Sequence, residues 1–206
     1  MSLDGEMSLD GESIRALPRS VSGTRSTVLW GITLLLVIEG MVIASLVISY
    51  FYLRIGVATW PPAGIPLPEL GTPTMAVALV VASVAPVAWA ERGIARGSRA
   101  RLAAGLVTGL LLLSAYGATT LISSADRTTT WATNAYGSIV WTIEGYQLMH
   151  VTALLVFGAT VAVLAFKGHF NAERRVAVQA VTLYWYFTAA SSLVGYATIY
   201  LAPRLI

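Results

Sequence analysis

The chain begins with a polar lead-in and continues as five long apolar stretches, at about 26–53, 73–91, 102–123, 137–166 and 176–202, each enough for the ~20 helical residues that cross a hydrocarbon core. None alternates apolar with polar positions, and an open sheet edge cannot sit in lipid, so helices are expected rather than strands. The first, fourth and fifth stretches exceed the minimum and should tilt or protrude. The pattern therefore predicts an all-α fold, an integral membrane bundle of five transmembrane helices occupying residues 26–206. Residues 1–25 form a polar tail that is expected to be mobile and carries the block MSLDGE twice. The following apolar run is too long for a signal peptide's h-region and ends in no small-residue cleavage site.

Composition agrees with this picture. Of 206 residues, 56% are apolar and 11% charged, and mean hydropathy is +0.73, too little charge to clothe a soluble domain. Cysteine is absent, which excludes disulfides, thiolate metal sites and thiol catalysis. The sequence pI is 9.4, yet the basic residues form no continuous patch, and no nucleic-acid partner is expected.

Their placement sets an orientation. Arg15, Arg19 and Arg25 precede the first stretch. Arg92, Arg96, Arg99 and Arg101 lie between the second and third, and Lys167, Arg174 and Arg175 between the fourth and fifth. The other side holds Arg54, Arg127 and Arg204. By the positive-inside rule the amino terminus is cytoplasmic and the carboxyl terminus outside. Tyr50, Phe51, Tyr52, Trp60, Trp131 and Tyr136 then fall at the outer interface as aromatic anchors. Arg54, Trp60, Arg92 and Arg96 are candidates for lipid headgroup contact. The segment Trp60-Pro61-Pro62-Ala63-Gly64-Ile65-Pro66-Leu67-Pro68 is stiff and non-helical. It is expected to lie along the membrane surface as a rigid connector, with ligand binding the alternative.

Ionisable groups inside the lipid region each need a reason. Glu39 falls near the middle of the first helix, while Glu144 and His150 lie in the fourth with Gln147 between them. Glu39 reads either as a carboxyl that handles protons or as a neutral one that fixes packing, and a hydrogen bond between Glu39 and His150 is the favoured pairing. Glu144, Gln147 and His150, spaced i, i+3, i+6, form a polar stripe rather than a metal site. Two histidines in all, His150 and His169, do not make a haem pair or copper cluster. Tyr184, Trp185 and Tyr186 are expected to be packing aromatics. No nucleophile–base arrangement, phosphate loop or zinc spacing is present.

Taken in order, these features resemble subunit III of haem–copper respiratory oxidases. Ile38-Glu39-Gly40-Met41 followed by Tyr50-Phe51-Tyr52-Leu53-Arg54 looks like the helix carrying that family's buried glutamate. Trp60-Pro61-Pro62-Ala63-Gly64-Ile65 resembles its WPPxGI loop, and Leu70-Gly71-Thr72 the start of its next helix. Ala135-Tyr136-Gly137-Ser138 with Gly145 to Val151 resembles YGS…GFHxxHV, and Tyr184-Trp185-Tyr186-Phe187 with Ile199-Tyr200 resembles YWHF…IY. Five helices fit a short bacterial form. Gln147 and Tyr186 replace family histidines, Ala189 stands where an aspartate is usual, and Glu144 is an additional acid.

The resemblance implies a non-catalytic subunit in the inner membrane of a prokaryote. It would pack on oxidase subunit I (and II), with haem and copper in those partner subunits and none in this chain. It would hold phospholipids and support proton uptake and durable turnover, with Glu39 the main proton-linked candidate. A subunit-III-like protein of a nitric oxide reductase system and a stand-alone proton- or ion-conducting protein are the alternatives.

Overall fold

The structure, a computed structural model, describes residues 26–125, 127 and 129–205. The polar tail, with its repeated block and Arg15, Arg19 and Arg25, lies outside the described residues. Five long helices follow in order, α1 Thr27–Ile55, α2 Gly71–Ala95, α3 Arg99–Ala125, α4 Ala135–Phe166 and α5 Val176–Tyr196. Beyond α5 the chain runs through a π-helical turn, Ala197–Leu201, into a short α6, Ala202–Leu205. The helices α1 to α4 are long and apolar enough to cross a membrane. At ~1.5 Å rise per residue, α5 alone is about 32 Å long and can also span.

The ends of these helices are marked by local chemistry. Ser26 caps α1 by accepting from the Val28 N–H at 3.2 Å, and Asn134 caps α4 by accepting from the Gly137 N–H at 2.8 Å. Gly97, at φ +79°, reverses the chain after α2, letting the Ser98 N–H reach the Gly93 carbonyl at 2.9 Å. Within lipid, hydroxyls must also find partners: Ser45 and Ser49 donate to the carbonyls one turn earlier, at 2.9 and 2.8 Å.

The tightest seam runs between α2 and α3, where small residues let the backbones approach. A Cβ added at Gly105 would sit 2.7 Å from the Ala90 Cβ, and one at Gly109 would sit 2.5 Å from a Val87 methyl. Gly105 and Gly109 are four apart, the small-xxx-small spacing of close helix pairs in membranes. On this seam α5 packs against α2, and α4 bridges α3 and α5. The larger core lies there, around Val80, Val87, Leu106, Leu154 and Trp185. Trp185 is wholly buried and donates its indole N–H to Ser83 at 2.8 Å.

By contrast, α1 lies outside these four, against α4 and α5. It fully buries only Tyr50 and leaves Leu34, Ile38, Met41 and Ile48 exposed on its outer face.

The first four helices begin and end within four residues of the sequence expectation, whereas the fifth stretch, expected as one helix to 202, ends as α-helix at Tyr196 and gives way to the π turn. Helix α2 continues to Ala95 and α3 starts at Arg99, because the Gly97 reversal needs only three residues between them.

Candidate functional site

Three polar or aromatic clusters stand out from an otherwise apolar bundle. The first joins α1 to α4. The Tyr146 hydroxyl donates to Glu39 Oε2, and that oxygen lies 3.5 Å from His150 Nε2. His150 Nδ1 lies 2.8 Å from the Tyr146 carbonyl oxygen. A carbonyl can only accept, so Nδ1 carries a proton. The Glu39 carboxyl is thus met by two side chains of α4 one turn apart, the Tyr146 hydroxyl and the His150 imidazole.

Glu39 and His150 do come together, but the direct hydrogen bond to Glu39 is made by Tyr146. Nor is Glu39 fully buried. Its side chain is 24% exposed, against 1% for His150, because α1 touches the bundle along one face only. Tyr184 and Phe187 of α5 close the far side of the His150 ring, at centroid distances of 5.9 and 5.7 Å.

The second cluster lies higher in α4 and draws on elements far apart in sequence. Glu144 Oε1 accepts from the Arg127 guanidinium and from the Tyr200 hydroxyl at 2.8 Å. Oε2 accepts from Ser124 at 3.0 Å. The carboxylate thus has three donors on three segments: the end of α3, the following loop and the π-helical turn. A π turn widens the helix by a residue, and here it sets Tyr196 and Tyr200 in stacked contact at 5.4 Å with Tyr200 aimed at Glu144. Burial by itself would lower the Arg127 pKa, but the hydrogen bond and charge of Glu144 outweigh it and the guanidinium ends above its ordinary value.

Gln147, one turn further on, is buried, and its carbonyl oxygen accepts from Ser191 of α5 at 3.2 Å. The stripe Glu144–Gln147–His150 therefore faces three different neighbours rather than converging on one point.

The third cluster is aromatic. Trp60, whose bond to Pro61 is cis, is 8% exposed and packs edge-on between Tyr50 and Tyr136, at centroid distances of 5.2 and 5.0 Å. The headgroup position expected for Trp60 is thus replaced by an internal one. Tyr50 and Tyr136, expected as interfacial anchors, are its walls. The prolines turn the indole inward, where edge-to-face packing satisfies three rings at once. Tyr52 and Trp131 remain exposed.

Among the other headgroup candidates, Arg92 and Arg96 are exposed at the end of α2 and Arg54 is half-buried at the end of α1. Arg204 reaches back to the Pro68 carbonyl at 2.5 Å, tying α6 to the proline loop. Among the described residues no group of three or more His, Cys, Asp or Glu side chains is placed to hold a metal. Both His150 nitrogens face protein atoms, and His169 lies exposed in the α4–α5 connection.

Three comparisons bear on this arrangement. The family model described as "Cytochrome c oxidase subunit III" matches residues 19–203. Among curated proteins, cytochrome c oxidase subunit 3 of Cyprinus carpio is 30% identical over 142 residues, covering 68% of this chain and 54% of that protein. The Petromyzon marinus protein of the same name is 29% identical over 143 residues, 69% of this chain and 55% of its own length. The Loxodonta africana one is 26% identical over 142 residues, 68% and 54% respectively. The chain spans about half the length of the curated relatives it matches.

Proposed function

Because the chain belongs to the cytochrome c oxidase subunit III family, we propose that it serves as a non-catalytic subunit of a haem–copper terminal oxidase in a prokaryotic inner membrane. The observation that carries this reading is the family match across residues 19–203, which takes in all five long helices. In this role the chain packs on the catalytic subunit, and haem and copper reside in the partner chains. The amino terminus faces the cytoplasm, as the distribution of arginines implies.

Two features of the site support specific duties. The outer face of α1, with Leu34, Ile38, Met41 and Ile48 exposed, offers an apolar surface that lipid tails or a neighbouring helix can cover. Arg92 and Arg96, exposed at the end of α2, are suited to anionic headgroups on the cytoplasmic side. The Glu39–Tyr146–His150 cluster sets a carboxyl and an imidazole next to that surface, and our reading is that this subunit contributes to proton uptake through them. Phospholipid retained along α1 would keep the partly exposed Glu39 out of bulk water.

Purification from native membranes in mild detergent tests the proposal. An optical spectrum showing haem, with oxidase chains copurifying in fixed stoichiometry, is the expected result. A cofactor-free homo-oligomer with no oxidase partner would overturn it.

A further inference from the structure

The end of the bundle that carries the proline loop contains two cavities. The outer one, of about 390 Å³, lies under the loop at Pro66 to Glu69 and is walled by Arg127, Tyr136 and Trp141. The inner one, of about 50 Å³, lies between α2, α3, α4 and α5; its walls are mostly apolar but include Tyr116, Glu144, Gln147 and Ser192. Both share Pro73, Ser123, Ile199 and Tyr200 as walls. Arg127 faces the outer cavity, Glu144 faces the inner one, and the two are bonded to each other and to Tyr200 between them. The ion pair therefore stands as the partition.

The chemistry of the walls identifies the occupant. Gln147 is 4% exposed, and its Nε2 is buried with no partner in the protein, although its carbonyl is held by Ser191. The Ser123 Oγ and the Arg127 Nη1 are likewise buried without partners. As the side chains stand these three atoms are sealed off, but Gln147, Ser123 and Arg127 line the two adjoining spaces, so a turn of the side chain brings each to water there. Leaving a buried amide N–H unmade costs about 1–3 kcal/mol, whereas a polar cavity above about 10–15 Å³ can hold a water that bridges such groups. Gly195 helps to keep the space open, since a Cβ there would come within 3.4 Å of Gln147 Nε2.

We propose that these two cavities form one water-filled vestibule, entered beneath the proline loop, partitioned by the Arg127–Glu144 pair, and ending at Gln147. Along α4 it reaches about 18 Å past the first residue of the helix, taking ~1.5 Å per residue. Its ligand is water, and its effect is to keep Glu144 in contact with solvent from the loop side. The Glu39–His150 pair, on the α1 side of α4, lies outside it.

Hydroxyl-radical footprinting of the assembled complex in native membranes, read by mass spectrometry on this chain's peptides, tests the inner end. Tyr116 is 6% exposed and Trp185 is 0% exposed, but only Tyr116 lines the cavity. Dose-dependent labelling of Tyr116 with none on the intrinsically more reactive Trp185 is expected. Labelling of Tyr116 no faster than Trp185 overturns the proposal.

The opening is tested with thiols, since the chain has no cysteine of its own. Ser123→Cys should react with a small water-soluble thiol reagent roughly tenfold or more faster than Ser45→Cys on the apolar face of α1, because a thiol in apolar surroundings ionises less readily. Equal rates would mean a sealed space and would overturn the vestibule as well. Neither serine-to-cysteine change alters side-chain size much, and the footprint of the unaltered protein stands even if one variant misfolds.

Discussion

Breaking the Glu144–Arg127 pair from either side should not be equivalent, and the asymmetry follows from where each charge sits. The Glu144 side chain is 9% exposed and that of Arg127 is 19% exposed, bordering the larger cavity. Arg127→Gln leaves a carboxylate inside the bundle with only Tyr200 and Ser124 as protein donors, and vestibule water offsets only part of the lost charge. Removing one partner of a buried pair costs about 3–5 kcal/mol. Glu144→Gln strands a guanidinium that can swing toward solvent, and its amide oxygen still accepts from Tyr200. Discounted for that exposure, the loss should be about 1–3 kcal/mol. The gap of about 2 kcal/mol amounts to roughly 30-fold in the folded-to-unfolded ratio. The double variant has no stranded charge, so it should be more stable than the sum of the two losses implies, by about 0.5–3 kcal/mol. Reversible unfolding of purified protein in mixed micelles, scored for all four corners of the cycle, gives these numbers. Strictly additive losses, or Glu144→Gln the worse of the two single changes, would refute the reasoning.

Other outcomes follow from single contacts. Gly105→Ala should force α2 and α3 apart, losing about 1–3 kcal/mol as overpacked positions do, whereas Gly145→Ala, with no heavy atom within 4 Å of the added Cβ, should gain up to about 1 kcal/mol from helix propensity; the same unfolding assay compares them. Ser83→Ala leaves the Trp185 indole N–H unpaired in the core and should lose about 1–3 kcal/mol, with Trp185→Phe added to it recovering part of the deficit. Tyr146→Phe removes the direct donor to Glu39. Infrared difference spectra should then show the Glu39 carboxyl band shift, and an unmoved band would show that Tyr146 does not bond Glu39.

The helix count and class were readable because lipid leaves the backbone no other way to satisfy its N–H and C=O groups. The Glu39–His150 proximity was also legible, since two costly groups at similar depth tend to meet. What escaped was most of what other partners distant in the chain set. Arg127 reads in sequence as one charge on the sparse side of the topology, and nothing near it announces Glu144, Tyr200 or Ser124. Trp60 reads as an interfacial indole because the slot between Tyr50 and Tyr136 exists only once α1 and α4 have met. Two signals were available and overlooked. Tyr146 lies one turn before His150, and Gly105 and Gly109 carry the spacing of a close helix pair.

The lateral position of α1 also orders events in time. Of the five long helices it is made first, yet the surfaces it packs on belong to α4 and α5, made last of the five. It must enter the bilayer and wait there undocked while α2 and α3 close their glycine seam beside it. During that interval its exposed flank is open to any other helix in the membrane. The docking of α1 therefore waits on α4 and α5, and a partner subunit arriving early could meet α1 before the rest of the chain does.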